Sequence, residues 1–505
     1  MEKVRFLRMG VFILAFCVAA MVGASAQTFT SLFSFDGTDG AGPWYPMNLI
    51  QGTDGNFYGT TTSGGAYDSC KFYNFVGCGT IFKITPSGTQ TTLYSFCPKS
   101  GCEDGLNPQG GLVQATNGNF YGTTPGGGTS QNCNSFSLGC GSVYQLTAKG
   151  VFSTVHSFAE SDGATPLGGL IQGSDGDLYG TAASGGTSSS NCPVGCGTVF
   201  KMSTSGKLTT LHNFDDTDGS LPIGNLVQGS DGNFYGTTAY GGSYGEGTVF
   251  KVSSTGRFTS LYSFCSQGTF CPDGWQPYAG LIQGTDRNFY GTTFGGGVND
   301  QGTLFKISST GTLSTLHAFD YTDGAVPYAH LVQATDHHFY GTTGYGGTGT
   351  SCTDGCGTIY SFVVNSEGTG GTLTTLHDFD ETDGANPYGG LVQSTNGDFY
   401  GTTGYGGTSA NCTGGCGTFF SLSMGLASFV ETNPTSGKVG TKVVILGNNL
   451  KGTTAVSFNG TAAEFKVVSD AEIRTSVPTG ATTGYVTVTT PTKKLKSNVK
   501  FRVTQ

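Results

Sequence analysis

The chain has 505 residues, 86 of them glycine and 11% charged, with a formal net charge of −10. So much glycine with so few charges marks a low-complexity segment unless the glycines are periodic, and here they recur at fixed places in a repeat. The acidic balance argues against nucleic acid as a partner, because phosphate binding rests on Lys and Arg displacing counterions.

Residues 1–26 read as a signal peptide. Lys3, Arg5 and Arg8 precede an apolar run over 11–23, and Ala24, Ser25 and Ala26 have the small side chains of a cleavage site. A lipid anchor at Cys17 fits less well, since bulky Phe16 precedes it and the cysteine lies inside the apolar run. The expected product is secreted or at the cell surface, with the periplasm as a further possibility. It should be a monomer with no stable membrane span after cleavage.

Residues 27–426 repeat. FYGTT occurs at Phe57–Thr61, Phe120–Thr124, Phe234–Thr238, Phe289–Thr293, Phe339–Thr343 and Phe399–Thr403, and as LYGTA at Leu178–Ala182, seven copies 50 to 63 residues apart. In the copy around Phe234, four runs rich in Val, Phe, Tyr, Thr and Leu (226–228, Phe234–Thr238, Thr248–Val252 and 258–264) alternate with Gly, Asn, Asp and Ser clusters. That pattern signals consecutive strands, called A to D here. The Asp-Gly pair between A and B supplies the positive φ angles of a hairpin turn. Four antiparallel strands repeated seven times predict an all-β, seven-bladed β-propeller. A solenoid or helical repeat would show a shorter period or a 3.6-residue apolar pattern. The glycine of FYGTT is read as room for a neighbouring sheet.

The repeat is split across its ends. TFTSLFSFD, from Thr28, is a strand D without A, B or C before it, while 391–393, 399–403 and 417–422 supply A, B and C without a D. The N-terminal strand is therefore expected to complete the last blade and close the ring, which removes exposed sheet edges.

The fourteen cysteines after the signal peptide fall into close pairs. Five pairs lie between strands B and C: Cys70 and Cys78, Cys133 and Cys140, Cys192 and Cys196, Cys352 and Cys356, Cys412 and Cys416. Two lie between D and A: Cys97 and Cys102, Cys265 and Cys271. Even count, local spacing and export read as seven disulfides. Each closes only a short loop, so each is expected to stiffen a surface loop more than it holds the fold. Zinc would need two pairs to converge on one ion, which pairs on different blades are not expected to do. Alternating strand direction places the B–C and D–A loops at one end of the ring and the short A–B and C–D turns at the other. Variable loops on a rigid scaffold are the expected recognition face.

Near residue 427 the pattern changes. Segments 442–447, 454–458, 464–468, 472–477, 484–489 and 499–503 alternate with Gly, Asn and Pro turns, which predicts a small β-sandwich over 427–505. The charge reverses as well. Residues 427–505 hold ten Lys and Arg against four Asp and Glu, whereas 27–426 hold ten against twenty-eight.

The frame SF-D-x-x-DG-x-x-P, GLIQGSDGNFYGTT and GTVFKI resembles the GloVer-type (Gloeobacter/Verrucomicrobia) tandem repeats of exported bacterial proteins. The resemblance implies export and bacterial origin and carries no catalytic residues. NPTSGKVGTKVVILGNNL, VSFNGTAAEF and VPTGATTGYVTVTTP are similar to an IPT/TIG domain, an immunoglobulin-like sandwich that usually serves as a spacer or binding module. The surface anchor usual at the C-terminus of such repeat proteins has no counterpart among the motifs here.

Internal repetition separates fold from function: a residue in every copy serves the fold, and a residue that breaks the pattern is a functional candidate. His156, His212, His317 and His377 share one strand D position with Phe33, Tyr94 and Tyr262 and read as packing residues. His330, His337 and His338 occur only in the sixth repeat, the last two in an A–B turn. Asp39, Asp104, Asp162, Asp218, Asp273, Asp323 and Asp383 each precede glycine, and Asp36, Asp215, Asp320 and Asp380 stand three residues earlier in four of these loops. Oxygen-rich loops with glycine offer calcium a site, with Asp36, Asp39, Asp215, Asp218, Asp320, Asp323, Asp380 and Asp383 as its ligands. The rival reading is an Asx turn that fastens the loop, since the early position is cysteine or alanine elsewhere. Calcium is the one cofactor considered.

The aromatic candidates are Trp44 and Trp275, both off-pattern in D–A loops, and Tyr278, Tyr328 and Tyr388, which follow the loop proline. Exposed rings there suit stacking on sugars, while the structural alternative is that they shield blade ends. No P-loop, dinucleotide fingerprint or nucleophile elbow is present. The expectation is an exported, non-enzymatic binding or scaffold protein whose ligand is a glycan or another surface component. The alternative is a polysaccharide-active hydrolase or lyase with its groups at the channel mouth.

Overall fold

The structure, a computed structural model, describes residues 27–43, 48–72, 75–99, 101–130, 133, 138–268 and 270–504. The signal-peptide reading of 1–26 and the candidate Trp44 lie outside the described residues. Among these residues there is no helix, so none is long and apolar enough to cross a membrane. The repeat region forms seven four-stranded antiparallel sheets of propeller-like blades, each with the strands in the order A-B-C-D. Strand A is reduced to two residues, as in Ile50–Gln51 and Val227–Gln228. FYGTT forms strand B throughout and is buried at every position, because both its faces are covered.

The last sheet joins the two ends of the repeat. Thr28–Ser34 pairs antiparallel with Thr418–Ser423, in register from Thr28 opposite Ser423 to Ser34 opposite Thr418. Phe35, fully buried, continues this strand into the cluster that holds Phe57, Phe82 and Phe419.

Two devices link each sheet to the next. The strand B tyrosine packs on the first residue of the following copy: Tyr58 on Phe120 at 4.2 Å, Tyr179 on Phe234 at 3.8 Å and Tyr235 on Phe289 at 3.9 Å, with Tyr121 meeting Leu178 instead of a ring. Tyr400 of the last copy packs on Phe57 of the first at 4.2 Å. The strand A glutamines form the second device. Gln114 Oε1 accepts from the Thr53 N–H at 2.9 Å, and Gln172, Gln228, Gln283, Gln333 and Gln393 repeat the bond to the preceding A–B turn. Gln51 makes it with the Thr395 N–H at 3.0 Å, from the first sheet to the last. Each bond satisfies a turn amide that water would otherwise have to reach.

Two expectations are corrected. The glycine of FYGTT makes room within its own sheet, not for a neighbouring one. A Cβ on Gly59 would lie 2.7 Å from Phe82 Cζ on the paired strand C and 2.9 Å from Leu49 Cδ2, just before strand A. The phenylalanine ring lies over the bare backbone and fills the space that a side chain would take.

The second correction concerns the bridges. The pairing is as expected, each cysteine bonding its sequence neighbour: Cys70 with Cys78, Cys97 with Cys102, Cys133 with Cys140, Cys192 with Cys196, Cys265 with Cys271, Cys352 with Cys356 and Cys412 with Cys416. They are not merely surface staples, however. In every B–C pair the second cysteine is buried in a core cluster beside strand C: Cys78, Cys140, Cys196, Cys356 and Cys416. It lies just before that strand, so the bridge ties a loop to the sheet's own interior. Cys97 and Cys102 are buried as well, whereas Cys265 and Cys271 are half-buried and fit the original reading. The density of bridges suits an oxidising, extracytoplasmic compartment.

Residues beyond 430 form a sandwich of a four-stranded and a five-stranded sheet around Val443, Ile445, Ile473, Val486, Val488 and Phe501. Strands Glu431–Asn433, Ser436–Gly437 and Thr461–Ala463 have no counterpart in the sequence reading, being too short to show a period. This domain rests on the A–B turn end of the repeat region. The Phe429 N–H donates to the Thr395 carbonyl at 3.0 Å, Asn448 Nδ2 to Thr395 Oγ1 at 2.8 Å and Asn433 Nδ2 to the Gln114 carbonyl at 3.1 Å, while Arg502 donates to the Ser230 carbonyl.

Candidate functional site

The D–A loops owe their shape to the D-x-x-D-G motif. Asp36 Oδ1 accepts from the Thr38 N–H, the Thr38 hydroxyl and the Asp39 N–H, and the Asp36 N–H donates back to Asp39 Oδ1. Asp215 with Asp218, Asp320 with Asp323 and Asp380 with Asp383 repeat the set. This is the reciprocal bonding of an Asx turn, and it holds Asp36, Asp215, Asp320 and Asp380 below the usual carboxylate range through the neighbouring threonine hydroxyl.

The strand D histidines do more than pack. Nε2 of His156, His212, His317 and His377 lies 3.0, 2.7, 2.7 and 2.8 Å from Oδ2 of Asp162, Asp218, Asp323 and Asp383. Tyr94 and Tyr262 donate to Asp104 and Asp273 in the same way at 2.8 Å. His212 also stacks on Phe258 of the next sheet at 3.6 Å. The sequence reading missed this pairing, although the position admits only His or Tyr, whose tips reach the loop aspartate, wherever the bond forms.

The first repeat has Phe33 there, so among the described residues Asp39 Oδ2 has no such partner. Burial pushes Asp39 up to about 6. A carboxyl raised above its unfolded value favours folding below about pH 4 and loses that advantage as pH rises through about 6. Asp39→Asn keeps the Oδ1 acceptor and removes the charge. It should stabilise the protein at pH 7.5 by about 1 kcal/mol, discounted for partial exposure, and leave it unchanged at pH 4. Thermal melts of both proteins at the two pH values check this.

Four of the five aromatic candidates, Trp275, Tyr278, Tyr328 and Tyr388, converge in the D–A loops. Tyr278 and Tyr328 have ring centroids 5.8 Å apart, and Tyr328 and Tyr388 5.2 Å. Phe294 packs edge-on against Tyr278 at 5.2 Å and Tyr328 at 5.3 Å, and Trp275 leans on Phe294 at 5.2 Å. Gly344 leaves the space between Tyr328 and Tyr388, since a Cβ there would come within 2.9 Å of the Tyr388 ring. Tyr388 donates to Tyr345 at 2.8 Å, and Trp275 Nε1 to Asp300 Oδ1 at 3.0 Å. Burial pushes the Tyr278 and Tyr388 hydroxyls up, so both stay phenols. All these rings are half-buried. The second to fourth repeats carry Gln109, Leu167 and Ile223 at the same position, so the aromatic arc is one-sided.

Beside the arc, side chains fill the space between the starts of several A strands. Asn48, Asn225 and His330 stand at the start of strand A, where the other repeats have Gly111, Gly169, Gly280 and Gly390. Asn225 Oδ1 accepts from the Gly169 N–H at 2.6 Å and Asn48 Oδ1 from the Gly390 N–H at 3.3 Å, and a Cβ on Gly390 would lie 2.2 Å from His330 Cε1. Asn48, Asn225, Gly280, His330 and Tyr388 line the small recess left at this floor. His330 Nδ1 is buried without a hydrogen-bond partner among the described residues, and burial lowers the imidazole to about 4, so it is neutral. His337 and His338 lie away from the arc, in a turn where His338 Nδ1 is 3.2 Å from Asp336. The sequence reading marked His330 but passed over Asn48 and Asn225. The same comparison of repeats, applied to the Gly-Gly before strand A, finds them.

Two cysteine pairs also converge, against expectation. Sγ of Cys70, Cys78, Cys97 and Cys102 all lie within 4.8 Å of one another, because the B–C loop of the first sheet folds against the D–A loop that follows it. As two disulfides they have no thiolate to offer a metal.

A family model described as the Gloeobacter/Verrucomicrobia repeat matches residues 20–140, 75–272 and 268–465. The chain belongs to this family. An IPT/TIG domain matches residues 428–503. No curated protein matches the sequence. Among solved structures, the repeat protein is similar to the extracellular domains of two hybrid two-component systems from B. thetaiotaomicron. One is 13% identical with a TM-score of 0.46, covering 84% of this chain and 46% of that one. The other is 10% identical with a TM-score of 0.47, covering 94% and 57%. The chain thus spans about half the length of these two. A PQQ-bound aldose sugar dehydrogenase from Streptomyces coelicolor is 11% identical with a TM-score of 0.39, covering 79% and 98%.

Proposed function

We propose that this is an exported, non-enzymatic binding protein that takes a glycan on its loop face, on a seven-bladed ring closed by its N-terminal strand. The observation that carries the binding reading is the one-sided aromatic arc of Trp275, Tyr278, Phe294, Tyr328 and Tyr388. Half-buried rings fixed by mutual packing lose little entropy on stacking against a sugar, and their hydroxyls supply polar edges. Trp44 follows Pro43 at the corresponding point of the sequence repeat and lies outside the described residues. The disulfides support export and brace the loops around the mouth. The IPT/TIG domain occupies the opposite end, which leaves the loop end as the binding face. Ring closure is supported by the pairing of Thr28 with Ser423, by Gln51 with Thr395 and by Tyr400 with Phe57.

A glycan array paired with a reducing-end assay on the same polysaccharides tests this. Binding without release is expected, weakened about tenfold or more by Tyr328→Ala or Trp275→Ala, the scale of one lost aromatic contact. New reducing ends formed by the purified protein would instead establish a hydrolase or lyase.

A further inference from the structure

At the other end of the axis, a cavity of about 350 Å³ lies between the inner strands of the repeat region and the IPT/TIG domain. It is large enough for a small organic molecule. The strand A residues Ile50, Val113 and Val392 give it apolar walls, with Pro434 and Leu446 opposite. Its polar lining consists of neutral amides and hydroxyls, and the strand A glutamines among them already hold the A–B turns together. Among the lining residues Glu431 is the only ionisable one.

Glu431 comes from the first strand of the IPT/TIG domain, opposite Leu446. Its Oε1 accepts from Asn498 Nδ2 at 3.1 Å, and its second oxygen takes no hydrogen bond among the described residues. A single carboxylate on a neutral, partly apolar wall, with no ion pair among the described residues, is complementary to one positive charge attached to a hydrocarbon body.

We propose that this cavity binds a small organic ammonium ion, with the nitrogen against Glu431 and the hydrocarbon part against Ile50, Val113 and Val392. Burial pushes the Glu431 carboxyl up to about 7, which a bound cation would relieve. The site lies at the opposite end of the axis from the aromatic arc and is independent of it. Its occupant would bridge the two domains, since both supply its walls.

The test is isothermal titration calorimetry of the mature chain at pH 8, where Glu431 is ionised, with hexylammonium, hexanol and hexanoate as probes. One-to-one binding of hexylammonium is expected, with hexanol at least tenfold weaker and hexanoate silent. Glu431→Gln should remove at least tenfold of the ammonium affinity while hexanol is unchanged. Val113→Phe, which fills the cavity from the propeller-like side, should weaken both. Tyr328→Ala, on the far face, should weaken neither. Equal affinity for hexylammonium and hexanol, ammonium binding that survives Glu431→Gln, ammonium binding lost in Tyr328→Ala, or no binding at all would each overturn the proposal.

Discussion

Deletion of residues 27–36 should destroy the cooperative fold of the whole repeat region rather than fray one end. The missing piece is the outer strand of the last sheet together with Phe35, which is fully buried among residues of the first and last sheets and has its ring 5.2 Å from Phe82. Removing a buried phenylalanine side chain alone costs about 3–5 kcal/mol. The deletion adds the loss of Phe29, packed against His377 and Phe420, and of every backbone bond to Thr418–Ser423. Against a typical total stability of about 5–15 kcal/mol, that is enough to unfold the repeat region. Phe35→Ala is the graded version and should lower stability by about 3–5 kcal/mol. Circular dichroism melts of both variants decide the matter, and a deletion variant with the wild-type midpoint would sink the idea that this strand holds the repeat region together.

The second large effect concerns the glycine that precedes strand C. Gly247 has φ +97°, and a Cβ there would lie 2.4 Å from the Thr238 carbonyl oxygen and 2.7 Å from Pro277 Cδ. Neither neighbour can move, since one is strand B backbone and the other a ring on the next D–A loop. Gly247→Ala should therefore cost about 3–5 kcal/mol, from the left-handed backbone and the clash together. Gly232, in the A–B turn of the same sheet, has a similar φ of +86°, and a Cβ added there would meet nothing within 4 Å. Gly232→Ala carries the backbone cost alone, about 1 kcal/mol. Equal effects of the two substitutions in chemical denaturation would show that the close approach at Gly247 is unimportant.

The sequence was most informative where its own repetition acted as an alignment. FYGTT located strand B, the orphan strand D from Thr28 foretold its pairing with the strand at 418–423, and local cysteine spacing foretold seven disulfides. Spacing says nothing of depth, which is why the burial of Cys78, Cys140, Cys196, Cys356 and Cys416 went unread. Pairwise features were harder still. The strand D histidines were judged one position at a time, so their bonds to the D-G aspartates were missed, although both residues lie within the repeat. Asn48 and Asn225 escaped because their neighbours are glycines, which suggest a turn rather than a packed axis. The seat of the IPT/TIG domain on the A–B turns, and with it the cavity at Glu431, depends on contacts between distant surfaces that leave no periodic trace. The same holds for Cys70, Cys78, Cys97 and Cys102, which meet only because two loops fold together.

The split of the last sheet also sets an order of events. In a chain emerging N-terminus first, Thr28–Ser34 appears at the outset and its partner at Thr418–Ser423 arrives only near the end. Every disulfide, by contrast, joins cysteines no more than eight residues apart, so each can form as soon as its own loop is out. Contacts of long sequence separation are the slow ones. Oxidation therefore runs ahead of assembly, and a chain halted before residue 418 would carry nearly all its bridges while its first strand still lacked a partner.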